Sequence, residues 1–292
     1  MMETKSAFIT LLGRPNVGKS TLLNALVGTK VSIVSPKPQT TRNRVTGILT
    51  CGDTQLVFLD TPGVHKAKSK LGNYMVKVAE DSAKETDVTV MVIESGDEVR
   101  AAEERIIKRL SGKTVLVINK IDLRPKEDVL KTIAAFSAAY NFDEIVPISA
   151  YKKDGVDILR NILLGFATPA PFYYNDEQVT DMDEPQMICE MAREKMLYLL
   201  GDEVPHGTAV QLTSLEKSNQ LVRVGITVFC ERDSHKAIII GKGGQALRKI
   251  GESIRKELEF TYDCKVFLDC FVKVKKDWRN DVSALSSLGF KE

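Results

Sequence analysis

No stretch of this chain is apolar for long enough to cross a bilayer, which takes roughly 20 residues. The short run Ala7–Leu12 leads straight into a glycine loop, so it reads as a strand and not as the core of a signal peptide. Cys51, Cys189, Cys230, Cys264 and Cys270 are odd in number and lack any C-x-x-C pair or adjacent histidine. That excludes a disulfide framework and structural zinc, and points to reduced thiols in a cytoplasm. Charge of one sign is also missing: 41 Lys and Arg against 39 Asp and Glu leave a net +2. So small a net charge says nothing by itself about nucleic acid, and only its distribution can be informative. There are no repeats or low-complexity tracts. At 292 residues the chain has room for two compact domains, each with its own core.

What is present changes character along the chain. Up to about residue 165, short apolar runs alternate with helical periodicity. Ala7–Leu12, Leu56–Asp60, Val88–Glu94, Val115–Asn119 and Ile145–Ile148 predict strands of a buried, largely parallel sheet. Lys19–Leu26, Lys70–Lys84, Ala101–Leu110, Pro125–Tyr140 and Val156–Leu164 predict the helices between them. That alternation is an α/β, doubly wound pattern, with functional loops at the carboxyl ends of the strands. The Pro-containing stretch Thr168–Phe172 and the acidic stretch Asn175–Glu184 predict a linker. Beyond it, Met187–Leu200 reads as an amphipathic helix, and Ala209–Leu215 with Leu221–Cys230 as a hairpin. Two helical patterns flanking Gly241–Gly244 and a last strand, Cys264–Val274, complete a smaller α+β domain.

Four elements of the first domain carry chemistry. Gly13, Arg14, Pro15, Asn16, Val17, Gly18, Lys19 and Ser20 fit G-x-x-x-x-G-K-[ST], and Thr21 continues into the helix. Glycines let backbone amides converge on phosphate oxygens, and the helix N-terminus adds its dipole. Lys19 is expected on the β- and γ-phosphates and Ser20 on Mg²⁺. Asp60, Thr61, Pro62 and Gly63 form D-x-x-G at a strand end, where Asp60 can hold Mg²⁺ through water and the Gly63 amide can reach a γ-phosphate. Asn119, Lys120, Ile121 and Asp122 select the base: the carboxylate of Asp122 can accept from guanine N1–H and the 2-amino group, neither of which adenine offers. Ile148, Ser149 and Ala150 supply a backbone amide for guanine O6. The domain is read as one that binds GTP and GDP.

Between the first two elements, Gln39-Thr40-Thr41-Arg42 offers a threonine that would ligate Mg²⁺ only beside a γ-phosphate. Sequence does not decide between Thr40 and Thr41; Thr40 is slightly preferred. Val64 follows the D-x-x-G element and cannot hydrogen-bond water, so unaided hydrolysis is expected to be slow. The neighbouring His65 is read as an exposed loop residue. Asn16 is expected to help hold K⁺ between the phosphates. Lys19, Thr40, Asp60, Gly63 and Asn16 form the expected catalytic set.

The second domain has a glycine turn of another design. Ile240, Gly241, Lys242, Gly243 and Gly244 fit the GXXG loop that clamps a single-stranded RNA backbone. A helix–turn–helix whose glycines merely cap the first helix is the competing reading. Charge favours RNA: from Arg232 to Arg279 there are twelve Lys and Arg against seven Asp and Glu, with Arg248 and Lys249 forming one cluster next to the loop. No second G-x-x-x-x-G-K-[ST] frame fits there.

These motifs together, over essentially the whole chain, resemble the Era family of bacterial GTPases. The resemblance is carried by Gly13–Asn24, Pro38–Arg42, Asp60–Gly63, Asn119–Asp122 and Ile240–Gly244. It implies a P-loop GTPase domain at 1–168, a linker at 169–185, and a KH domain of the second, prokaryotic type at 186–292. It also implies Mg²⁺-dependent GTP hydrolysis, binding to the 3′ region of small-subunit (16S) rRNA, action in assembly of the 30S subunit, and a peripheral fraction on the inner face of the cell membrane. A monomer is expected. An RNA-modification GTPase and a membrane-signalling GTPase with an incidental glycine turn remain as alternatives. The first lacks a segment dedicated to modification chemistry, and the second lacks transmembrane helices.

Overall fold

The computed structural model describes residues 4–63, 69–84, 86–110, 112–201, 204–218 and 220–290. The chain folds into two compact units, with the main boundary between Asp181 and Met182.

The first unit runs β1 (Lys5–Leu12), α1 (Lys19–Val27), β2 (Val45–Cys51), β3 (Thr54–Asp60), α2 (Lys70–Lys84), β4 (Val88–Glu94), α3 (Ala101–Ile107), β5 (Lys113–Asn119), α4 (Lys126–Ala139), β6 (Glu144–Pro147), α5 (Val156–Gly165) and β7 (Thr168–Pro169). Its sheet has the order β2-β3-β1-β4-β5-β6, with β7 paired to β1. All pairings are parallel except β2 on β3 and β7 on β1. The continuous apolar runs are strands buried on both faces: Leu56–Leu59, Val90–Ile93 and Val115–Ile118 are all buried. Leu12, Met91, Leu116 and Ile118 pack with Ile106 of α3 and Phe136 of α4, while Leu22, Leu23 and Leu26 of α1 and Leu159 and Leu163 of α5 are also buried. Each such side chain contributes about 1.5–3 kcal/mol of transfer free energy.

Two features differ from the expectation. The edge strand β2 was not predicted; it enters a two-residue turn in which Gly52 takes φ +59° and pairs back along β3. Gly47 within β2 leaves room for α1, since a Cβ there would lie 2.5 Å from Leu23 Cδ1. The second difference is the expected linker, most of which is bound to the first unit. The fully buried Gln55 accepts from the amides of Tyr173 (2.9 Å) and Tyr174 (3.1 Å) and donates to the Tyr174 carbonyl (3.0 Å). Ile48 N–H donates to the Val179 carbonyl at 2.9 Å, and Thr46 Oγ1 to Asp181 Oδ2 at 2.8 Å. A buried amide side chain must find partners, and residues 173–174 provide them.

The second unit runs α6 (Glu184–Leu199), β8 (Ala209–Lys217), β9 (Leu221–Cys230), α7 (Asp233–Ile240), α8 (Gln245–Tyr262), β10 (Lys265–Val274) and α9 (Val282–Ser287). Asp183 caps α6 by accepting from Gln186 N at 2.8 Å, and Gln186 Oε1 accepts from Asp183 N at 3.4 Å. This capping box starts the helix three residues before the expected Met187. The sheet order is β10-β9-β8, with β10 parallel and β8 antiparallel to β9. Helices cover one sheet face: Ile188, Ala192 and Met196 of α6, Ile239 of α7, and Ile250, Ile254 and Leu258 of α8 pack on Val222, Val224, Ile226, Val228, Val266 and Val272. That face and the α7–α8 turn form the scaffold of the second site.

Candidate nucleotide and nucleic-acid sites

The first site is built where β1 ends and α1 begins. A Cβ on Gly13 would lie 2.3 Å from the Val92 carbonyl oxygen, and one on Gly18 would lie 2.2 Å from Asn119 Nδ2. The loop is thus threaded against the ends of β4 and β5 with no space for a side chain at either position. Gly18 caps α1 at φ +97°, and Asn16 takes φ +66° at an exposed position of the loop. Lys19 is buried, and its Nζ donates to the carbonyls of Gly13 (3.2 Å) and Arg14 (3.0 Å). Burial pulls its pKa down to about 8, against the opposing pull of Asp60. Arg14 holds the loop from outside: its guanidinium pairs with Asp97 (2.5 Å) and Glu103. Its side chain is thus paired with those carboxylates, while its main-chain carbonyl accepts from Lys19.

Asp60, at the end of β3, is fully buried. Its Oδ2 accepts from Ser20 Oγ (2.6 Å), Ser32 Oγ (3.1 Å) and, more weakly, Thr41 Oγ1 (3.4 Å). Ser20 Oγ and Thr41 Oγ1 are 2.9 Å apart. Burial raises the carboxyl pKa, while Lys19 and the three hydroxyls oppose the rise. Its other oxygen, Oδ1, is buried and makes no hydrogen bond. Two hydroxyls and a carboxylate with an unsatisfied oxygen are the hard oxygen donors that Mg²⁺ takes, so these residues fit the ion. The threonine in this cluster is Thr41, which is buried, whereas Thr40 is half-buried next to it. Thr40 was slightly preferred; the hydroxyl that lies beside Ser20 and Asp60 is that of Thr41. Ser32 was not anticipated. It is held by Asn24, whose Oδ1 accepts from Val31 N and Ser32 N, both at 2.9 Å, and whose Nδ2 donates to the Ser32 carbonyl at 2.8 Å. Asn24 stands on α1 one turn after the phosphate loop, as the last residue of the Gly13–Asn24 run that carries the resemblance.

Thr61 is buried with its hydroxyl donating to the Leu11 carbonyl at 2.8 Å, a structural role. Pro62 and Gly63 are also buried, and a Cβ on Gly63 would lie 2.6 Å from Pro15 N. The D-x-x-G turn therefore lies directly on the phosphate loop. Val64 and His65 fall outside the described residues.

On the base side, Asn119 is a brace, as expected. Its Nδ2 donates to the Val17 carbonyl at 2.8 Å and its Oδ1 accepts from Ala150 N at 3.0 Å, which ties the phosphate loop, the end of β5 and the loop after β6 together. The Ala150 amide, one of those expected to offer a donor to guanine O6, donates to Asn119 Oδ1 here. Ser149 N–H donates to the Asp154 carbonyl at 2.9 Å. Lys120 takes φ +63°, and its Nζ lies 2.8 Å from Glu94 Oε2. Ile121 and Asp122 follow in a single 3-10 turn, and Ile121 N–H donates to the Ile148 carbonyl at 3.2 Å.

The second site is a groove of about 400 Å³ lined by Gly244, Leu247, Arg248, Gly251, Glu252 and Arg255, with Leu268 and Cys270 of β10 opposite. The α8 residues recur every three or four positions and so share one helix face. Gly251 keeps the groove open, since Leu268 Cδ2 would lie 4.0 Å from a Cβ there. Its mouth is the glycine turn, where Gly241, Gly243 and Gly244 all have positive φ (73°, 57° and 78°). A Cβ on Gly241 would lie 2.7 Å from Ala246 Cβ, so this glycine is required on two counts. Lys242 is exposed on the turn, and Ile240 is half-buried before it. Arg248, expected at an RNA contact, lines the groove. Lys249 is exposed and lies off the lining. Arg255, two turns after Arg248, shares its face of α8; Leu268 and Cys270 were missed, because only tertiary pairing brings β10 to α8.

Comparison with known proteins matches both domains. The family model for 50S ribosome-binding GTPases matches residues 8–120, and the KH-domain model matches residues 203–279. A GTPase Era of Clostridium kluyveri is 48% identical over 291 residues, covering 98% of this chain and 99% of that protein. One of Ruminiclostridium cellulolyticum is 45% identical over 294 residues, covering 99% of each. A solved structure of an Aquifex aeolicus Era variant bound to GDP·AlF4⁻ is 36% identical, with a TM-score of 0.94 over 99% of this chain and 100% of that one. Another, Era in complex with MgGDPNP and nucleotides 1506–1542 of 16S ribosomal RNA, has 36% identity, the same coverage and a TM-score of 0.95.

Proposed function

The chain belongs to the Era family of GTPases, and from that premise we propose that it is a GTP-driven switch. Its second domain, residues 186–292, binds the 3′ region of 16S rRNA, and the protein acts in assembly of the 30S subunit. The observation that carries the switch is Thr41 at 2.9 Å from Ser20, beside Asp60. A segment between α1 and β2 thereby reaches the residues that fit Mg²⁺, so its position responds to whether a γ-phosphate is present.

Lys19 and the loop amides neutralise the phosphates, Asn119 and Asp122 hold the guanine, and Ser20, Thr41 and Asp60 hold Mg²⁺. When bound, the ion supplies positive charge to the β- and γ-oxygens. Val64 contributes no hydrogen bond to water, so turnover without a partner is slow, and Asn16 supports K⁺ between the phosphates. The half-buried groove beside Lys242, Arg248 and Arg255 takes the RNA strand. The protein is a cytoplasmic monomer with a peripheral fraction on the inner face of the membrane; the support for that fraction is the basic C-terminal segments. Among the described residues no helix is long and apolar enough to cross a membrane.

Calorimetric titration of GTP analogue and GDP at varied Mg²⁺ tests the nucleotide half. Mg²⁺ should strengthen the analogue more than GDP. Equal Mg²⁺ dependence for both would remove the sensing role of Thr41.

A further inference from the structure

β10 is a strand with two working faces. Val266, Leu268, Cys270, Val272 and Val274 point to the helices and the groove. Lys265, Phe267, Asp269, Phe271 and Lys273 alternate with them and therefore share the opposite face. Phe267 is 49% exposed and Phe271 58% exposed, an unusual cost for two large apolar rings on one edge strand. The parallel register puts Arg223 of β9 beside Phe267, with the guanidinium 5.6 Å from the ring centroid. The C-terminal segment reaches this face elsewhere, where Gln211 Nε2 donates to the Ser287 carbonyl at 3.5 Å, and leaves the two rings open.

We propose that this outer face of β10 and β9 is a second RNA surface, on which bases of the strand leaving the groove stack on Phe267 and Phe271. It rests on the reading of the second domain as an RNA module. Exposed aromatics interleaved with Lys265, Arg223 and Lys273 are what a flexible polyanion with flat bases requires, since stacking is tolerant of sequence and the cations meet the backbone. Asp269 and Glu216 lie on the same face and limit its net charge, so stacking carries more of the binding than charge does. Four residues of strand separate the rings by roughly 13 Å, so they hold different bases instead of sandwiching one. The groove and the outer face share β10, which lets one strand of RNA pass from Lys242 over the sheet edge to Phe267.

The test uses the full chain with two single-stranded RNAs, one of about four nucleotides that fills only the glycine-loop site and one three times longer. Phe267→Ala with Phe271→Ala should weaken the longer RNA by about fivefold to a hundredfold per stacked base and leave the short one unchanged. Phe271→Trp should restore the affinity and show fluorescence quenching by the longer RNA only; the native Trp278 is fully buried and gives a constant background. Unchanged affinity for the longer RNA in the double variant, with no quenching at 271, overturns the second surface while leaving the groove intact. A self-association of wild type that the double variant abolishes would also overturn it, by assigning the face to a second copy. Failure of wild type to bind either RNA would instead sink the RNA reading itself.

Discussion

Replacing Thr41 by valine keeps the β-branched shape and removes only the hydroxyl. In the structure that hydroxyl lies 2.9 Å from Ser20 Oγ and 3.4 Å from Asp60 Oδ2, so one good neutral contact and one long one are lost. Ser20 keeps its 2.6 Å bond to Asp60, and no buried donor is orphaned. The cost to folding is therefore about 0.5–1.5 kcal/mol, a few degrees in Tm for a unit of this size. The effect on nucleotide should be larger and selective. Loss of an oxygen that meets a charged group is worth about 1.5–3 kcal/mol, or roughly ten- to hundredfold, and it applies only when the γ-phosphate is present. Titration of fluorescent GTP analogue and GDP in Mg²⁺ should show the analogue weakened by that factor and GDP unchanged. Thr40→Val should change neither by more than about threefold. If Thr40→Val shifts the ratio instead, or Thr41→Val weakens both nucleotides equally, the assignment of the sensing residue is wrong.

Three further outcomes follow from the same geometry. Lys19 is lowered from 10.5 to about 8 by burial, so between those values the unfolded chain holds a proton that the folded one has released. Stability of the nucleotide-free protein should therefore rise with pH across that window, while affinity for GTP analogue, which needs charged Lys19, should fall about tenfold per unit above pH 8; affinity that stays flat to pH 9 would contradict it. Gly241→Ala forces a Cβ to 2.7 Å from Ala246 Cβ at φ +73°, costing about 1–3 kcal/mol in the second unit, and should abolish RNA binding with GTP affinity intact in the same preparation. Asp122→Asn removes the acceptor that distinguishes guanine and should cost GTP affinity at least a hundredfold while admitting xanthosine triphosphate, read by competition binding.

Much of this arrangement was legible in the residues. The parallel strands were visible because burial on both faces demands runs such as Val115–Ile118, and the nucleotide motifs fell at their carboxyl ends. β2 was not visible: Val45–Cys51 carries Gly47 and Thr50, lacks a clean alternation, and is a strand because β3 offers an edge. Residues 169–185 look like a linker by composition, yet the buried Gln55, more than a hundred positions earlier in the chain, takes hydrogen bonds from Tyr173 and Tyr174. Thr40 and Thr41 are the same residue type side by side, so only the direction of the backbone separates them. The glycine turn was plain, but the far wall of its groove, Leu268 and Cys270, depends on a sheet pairing that local pattern does not encode.

The claim that binds the two domains into one account is that the nucleotide governs the RNA. Its most direct measurement is the affinity of the full chain for a single-stranded fragment of the 16S rRNA 3′ region, at one fixed salt concentration, with GTP analogue, with GDP and with no nucleotide; Lys242→Asp serves as the control. The account predicts the tightest binding with the GTP analogue and its loss in the variant; equal affinity in all three nucleotide states would contradict it.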